Sequence, residues 1–301
     1  MKTAISDFLN YMLVQRGCSP ATVETYRQSL SACADFLCAL QPGIEWGRVE
    51  TLHVRRWVSY MMETHKSPNT VNRSLSALRS LYRYLLREGV VDVDPARCVK
   101  SPKRPKRIPT FVKENEMNRL FDHYPFDNDY IGCRDRTILL LLYHTGLRAA
   151  ELLGLHIADT DLLALSLRVT GKGNKQRIVP FGNELRDALS HYFAVRQSFL
   201  TAYSPSETFL FLNDRGQPMS YADLRKMVKT TLAAVTTQKK KTPHVLRHSF
   251  ATAMLANGAQ LEAIRELLGH ESVTTTVIYT HATAAELKEQ YAAAHPREQC
   301  E

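Results

Sequence analysis

Residues 165–181 read LSLRVTGKGNKQRIVPF. Leu165 to Thr170 and Gln176 to Phe181 are strand-like runs flanking Gly171-Lys172-Gly173-Asn174, a glycine-rich turn, so the stretch predicts a β-hairpin. The residues on both sides read as helix. Upstream, Arg136 to Tyr143 predicts a buried helix, Thr145-Gly146 a turn and Leu147 to Leu153 a second, short helix. Downstream, the pattern is helical to the end, and Thr242-Pro243 marks a helix start with Met254 and Leu255 on its apolar side. The expected fold is mainly α with a small β-hairpin or sheet, an α+β domain over 110–301.

The first hundred residues have no strand signal. Ser19-Pro20 and Ser67-Pro68 each combine an N-cap with proline at the first helical position. Val23, Tyr26, Leu30, Cys33 and Leu37 follow the first start at steps of three and four; Val71, Leu75, Leu78, Leu81, Tyr82 and Leu85 follow the second, until Gly89. Residues 1–99 therefore read as a separate helical domain. Between the two lies 100–109, KSPKRPKRIP, with five positive charges, three prolines and no acid. Proline favours extended backbone here, and a basic extended strand can follow a phosphate backbone. Lys100, Lys103, Arg104, Lys106 and Arg107 are the candidate DNA contacts.

Composition narrows the classes. The 301 residues carry 39 Lys+Arg against 30 Asp+Glu, a net charge of +9 that suits a polyanionic partner without naming one. The longest apolar stretch, Ile138 to Tyr143, is far shorter than the ~18 residues of a membrane span. The N-terminus lacks a signal-peptide core, which predicts a cytoplasmic protein with no membrane association. Six cysteines, Cys18, Cys33, Cys38, Cys98, Cys133 and Cys300, form no C-x-x-C pair, arguing against a zinc site or a disulfide framework. Neither a phosphate-binding glycine loop nor a carboxylate-rich metal cluster is present, so no cofactor or metal is expected.

Four clusters can carry chemistry. In Thr145-Gly146-Leu147-Arg148-Ala149-Ala150-Glu151-Leu152, Arg148 and Glu151 are three apart, the spacing of one helical face. In the hairpin turn, Lys172 and Lys175 are amines at a tip able to enter a groove. In His244-Val245-Leu246-Arg247-His248, His244 and Arg247 share a face near a helix N-terminus, a place suited to an anion. Leu268-Gly269-His270-Glu271 is followed, nine residues after the histidine, by Tyr279. The five β-branched residues Thr274 to Ile278 between them disfavour a rigid helix.

Taken in order, TGLRAAEL, GKGNKQRIVP, HVLRHSFAT and LGHESVTTTVIYTH resemble the tyrosine recombinase (phage integrase) family. RGCSPATVETYRQSL and SPNTVNRSLSALRSLYRYLLREG resemble its helical, SAM-like core-binding domain, and AELKEQYAAAHPRE resembles the tail of the Xer subgroup. The resemblance implies that Arg148, Lys172, His244, Arg247, His270 and Tyr279 are catalytic, with Glu151 in support and Lys175 as the alternative to Lys172. It further implies double-stranded DNA as substrate and a 3′-phosphotyrosyl link as intermediate. The assembly implied is a homo- or hetero-tetramer on two DNA sites, with a second recombinase and a DNA translocase as candidate partners. The Xer tail points to chromosome or plasmid dimer resolution; phage or mobile-element integration is the alternative within the family. A type IB topoisomerase and a non-cleaving DNA-binding accessory protein are the alternatives outside it.

These residue types suit the reaction. A phosphodiester transition state spreads negative charge over non-bridging oxygens, which two planar guanidiniums can hold. A tyrosine hydroxyl, with an ordinary pKa of about 10, needs nearby positive charge or a base to become a nucleophile. The C-terminal segment from Ala284 to Ala294 is amphipathic and is expected to dock on a neighbouring protomer.

Overall fold

The computed structural model describes residues 1–103, 110–201, 208–269 and 284–297. The chain divides into two compact units, Met1–Arg107 and Ile108–Glu301.

The described part of the first unit contains four α-helices: α1 (Lys2–Val14), α2 (Pro20–Leu40), α3 (Thr51–Glu63) and α4 (Pro68–Arg87). The two expected starts form as capped ends: Ser19 accepts from the Thr22 N–H at 3.3 Å and Ser67 from the Thr70 N–H at 3.2 Å. The stripe of α4 is buried from Val71 to Leu85 and packs with Leu30, Leu37 and Trp57. Tyr82 meets Trp46 edge to face and donates its hydroxyl to the Trp46 carbonyl at 3.0 Å, which satisfies a buried phenol. Arg79 is half-buried, and it donates to the carbonyls of Ala96 at 3.1 Å and Val99 at 2.6 Å. Asn72 donates to the Pro102 carbonyl at 3.0 Å. Polar side chains of α4 thus hold the segment that leads into the basic stretch.

The second unit is built around α6 (Tyr130–Thr145), which follows α5 (Glu114–His123). Ile138 to Tyr143 are all buried, so this stretch of α6 is apolar on every side and forms the central core segment. It begins six residues before the expected Arg136 because Asp129 caps it, accepting from the Gly132 N–H at 2.8 Å. A short helix α7 (Ala149–Leu153) leads to an antiparallel sheet of β1 (Thr160–Asp161), β2 (Ser166–Thr170) and β3 (Gln176–Pro180), in the order β1-β2-β3. Strands β2 and β3 are the expected hairpin, closed by the Gly171 N–H to the Lys175 carbonyl at 2.8 Å. The two-residue β1 is too short to leave an alternation in the sequence.

Helices α8 (Asn183–Leu200), α9 (Tyr221–Val235), α10 (Pro243–Ala256), α11 (Leu261–Leu268) and α12 (Ala284–Ala294) complete the unit. Helix α6 packs on α8 and α10. Met254 is buried as expected, whereas Leu255 is 55% exposed, one position round the helix from the core. Leu287, Tyr291 and Ala294 of α12 are buried with Phe250, Met254 and Leu267 of α10 and α11. Among the described residues, no helix is long and apolar enough to cross a membrane.

Candidate active site

The site begins where α6 ends. Gly146 adopts a left-handed conformation, φ 60°, and turns the chain out of the helix. A side chain there would also collide with Phe250 and Leu268, its Cβ falling 2.5 and 2.7 Å from their nearest carbons. Two residues later Arg148 is the N-cap of α7, in extended backbone at ψ 148°, and not its first turn as the spacing predicted. The Glu151 carboxylate instead reaches back, accepting from the Arg148 N–H at 2.9 Å and from Arg148 Nη1 at 2.7 Å. An acidic residue at the third helical position commonly makes this return bond.

Arg247 enters from α10. It is 4% exposed and donates to the Gly146 carbonyl and to the Leu268 carbonyl, both at 2.7 Å. Its Nη1 lies 4.0 Å from a Glu151 carboxylate oxygen. Burial, with Arg148 and Arg177 nearby, lowers its pKa to about 10, so the guanidinium remains charged at neutral pH. His244 lies three residues back on the same helix, exposed, with His248 in an edge-to-face contact at 4.7 Å. Partial burial, then the charges of His248, Arg247 and Arg148, hold its pKa below the ordinary 6.5. These surroundings favour the neutral imidazole, the form able to accept a proton.

Arg177, on β3, was not among the candidates. Its Nη1 and Nη2 donate to the two Glu151 oxygens at 3.1 and 3.0 Å, and its Nε donates to the Leu267 carbonyl at 3.0 Å. Burial raises the Glu151 pKa, but the hydrogen bonds from Arg177 and Arg148 outweigh it and hold the carboxyl below its usual range. The sequence contained a signal. Residues 177 and 179 share one side of the strand, and Val179 is buried while Ile178 is 50% exposed. A charged residue on the inward parity of a strand calls for a buried partner.

The three arginines meet at the end of α11. The carbonyls of Leu267, Leu268 and Gly269 accept from Arg177, Arg247 and Arg148 in turn, the last at 2.9 Å. Gly269 makes this possible by ending α11 in a left-handed conformation, φ 63°.

The structure thus brings together Arg148, Glu151, His244 and Arg247. The backbone of Lys172 lies in the hairpin turn, at the start of the three-residue helical turn Lys172–Asn174; its side chain lies outside the described part. His270 and Tyr279 fall outside the described residues. Lys100 and Lys103 are exposed in the first unit, while Arg104, Lys106 and Arg107 also fall outside the described residues. Among the described residues, no group of His, Cys, Asp or Glu is placed to hold a metal ion.

Beyond the site, the tail is fastened to the core. Arg297 donates to both Glu184 oxygens, at 2.6 and 2.7 Å, to Asp122 at 2.9 Å and to Asn118 at 3.1 Å. Buried His144 lies between Glu184 and Tyr291, at 3.2 and 3.1 Å, with buried His295 stacked on it at 4.3 Å. Burial raises the Glu184 pKa, but His144 and Arg297 prevail and lower it to about 2.

Comparison with known proteins fits this geometry. Residues 110–286 match the model of the phage integrase family, and residues 5–89 match that of the phage integrase N-terminal SAM-like domain. Tyrosine recombinase XerC of Chlorobaculum parvum is 38% identical, over 97% of this chain and 94% of that relative. Tyrosine recombinase XerD of Oceanobacillus iheyensis is 32% identical, over 99% of each. A XerH site-specific recombinase bound to a palindromic difH substrate shares the fold, with a TM-score of 0.71 at 19% identity, over 94% of this chain and 79% of that one. With both halves matched and its relatives aligned from end to end, the chain belongs to the phage integrase family and is a tyrosine recombinase of the Xer type.

Proposed function

We propose that this enzyme cuts and rejoins double-stranded DNA at specific sites through Tyr279, resolving chromosome or plasmid dimers in the cytoplasm. The observation that carries this reading is the convergence of Arg148 and Arg247 on Glu151 and on consecutive carbonyls of the α11 end. Two preorganised guanidiniums beside a neutral imidazole suit a phosphodiester that gains charge on its non-bridging oxygens.

In this reading the Tyr279 oxygen attacks phosphorus, the bond to the 5′ oxygen breaks, and a 3′-phosphotyrosyl link and a free 5′-hydroxyl result. Arg148, Arg247 and His270 hold the non-bridging oxygens. His244 accepts the phenol proton, for which a pKa below 6.5 leaves it in the right form at pH 7. Lys172, with Lys175 as the alternative, supplies a proton to the departing oxygen. Glu151 orients the arginines. Attack by a partner strand's 5′-hydroxyl reverses the steps, so the phosphoester is exchanged and no nucleotide is consumed.

Both residues 1–99 and residues 110–301 bind DNA in this reading, and Lys100, Lys103, Arg104, Lys106 and Arg107 contact its phosphate backbone. Phosphate contacts of this kind set position, and a few base contacts set the sequence read. The working assembly is a tetramer on two duplexes, with a second recombinase and a DNA translocase as candidate partners.

The test uses a duplex selected for binding from a random pool and nicked near its centre, so that the cut end diffuses away and the covalent species accumulates. The wild-type chain should give an adduct that survives a denaturing gel. Tyr279→Phe should abolish it while leaving DNA affinity in place; an adduct that persists in this variant would remove the assignment.

A further inference from the structure

Arg177 is built into the site through its contacts with Glu151 and the end of α11. Its side chain is 17% exposed, and each of its three nitrogens already donates within the protein. It joins three parts of the site that are distant in sequence. From β3, whose hairpin tip carries Lys172, it grips Glu151 of α7 with both ends of its fork and the last turn of α11 with its Nε.

The Glu151 oxygen that receives Arg177 Nη1 also receives Arg148 Nη1. The other receives Arg177 Nη2 and the Arg148 N–H, and lies 4.0 Å from Arg247. A two-pronged guanidinium fixes the plane of a carboxylate as a single contact does not. Fixing that plane fixes where the carboxylate meets Arg148. The same side chain holds the Leu267 carbonyl, adjacent to the two carbonyls that anchor Arg247 and Arg148.

We infer that Arg177 is a positioning residue for strand cleavage, holding Glu151 and the α11 terminus so that Arg148 and Arg247 are aimed together. The inference rests on the recombinase reading above. It assigns Arg177 no contact with DNA and no proton transfer.

The test measures single-turnover cleavage of the nicked duplex at saturating DNA, alongside half-saturating DNA concentration and melting temperature. Arg177→Gln should slow cleavage by roughly 10- to 100-fold, the scale of a small misplacement of reacting groups, with half-saturation within about twofold of wild type. Arg177→Lys keeps the charge but has no fork, and should stay impaired. Because the effect passes through the carboxylate, Arg177→Gln with Glu151→Gln should be no slower than the slower single variant. Wild-type rates in Arg177→Gln, a loss confined to DNA affinity, full recovery by lysine, or multiplicative losses in the double variant would each overturn the inference. So would unfolding of both variants, which would make Arg177 a structural residue. A wild-type chain that forms no adduct sinks the recombinase reading and this inference with it; an active wild type beside an unaffected Arg177→Gln sinks only the latter.

Discussion

Arg148 and Glu151 are bound twice, once through the guanidinium at 2.7 Å and once through the main-chain N–H at 2.9 Å, so one carboxylate both caps α7 and sets the arginine. Glu151 also faces Arg247 and Arg177 in a buried position. Glu151→Ala should cost about 3–5 kcal/mol of stability, because it strands buried guanidiniums. Glu151→Gln keeps an acceptor and the shape and should fold, with cleavage down about tenfold or more. Thermal melts and the nicked-duplex assay separate the two effects.

Arg247 spans two carbonyls, those of Gly146 and Leu268, with its two terminal nitrogens. A lysine supplies one point of charge and cannot serve both. Arg247→Lys should reduce cleavage by about 10²-fold, the usual scale for losing one preorganised donor. A loss much smaller than this in single-turnover kinetics would mean that charge alone suffices at this position.

The pH profile follows from His244. Its pKa lies below 6.5, so the proton-accepting form predominates above that value and is lost as pH falls through the lowered pKa. Cleavage at subsaturating DNA should be flat from about pH 7 upward through neutrality and decline on the acid side. His244→Gln should be slower throughout, with that acid limb removed. An unchanged limb in the variant would assign the titration to another group.

The tail should govern acid stability. Glu184 has its pKa lowered to about 2, so it contributes stability above its ordinary value of 4.5, and this is lost as pH falls towards 2. His295, held far below 6.5 mainly by burial, begins to oppose folding earlier, as pH drops through 6.5. Arg297→Ala should lower stability by about 3 kcal/mol, roughly 5–10 °C in melting temperature for a unit of this size. Glu184→Gln should flatten the decline between 4.5 and 2 in pH-dependent melts.

Local signals were legible in the sequence and distant ones were not. Ser19-Pro20, Ser67-Pro68 and the hairpin turn each act within a few residues, and each forms where the pattern puts it. The start of α6 was missed because Asp129 caps it ahead of the apolar run. Arg148 caps α7 instead of lying on its face; a spacing of three cannot distinguish an N-cap from a first turn. Arg297 finds Glu184 across 113 positions, and Arg177 finds Leu267 across 90. No periodicity encodes such pairs; they arise only once the core has closed.

Three guanidiniums around a single carboxylate leave the folded chain with a local surplus of positive charge in a mostly buried place. Like charges held together in low dielectric repel, and the repulsion is part of what the rest of the core must overcome. Anions as small as sulfate should therefore raise the melting temperature of wild type more than that of Arg148→Ala.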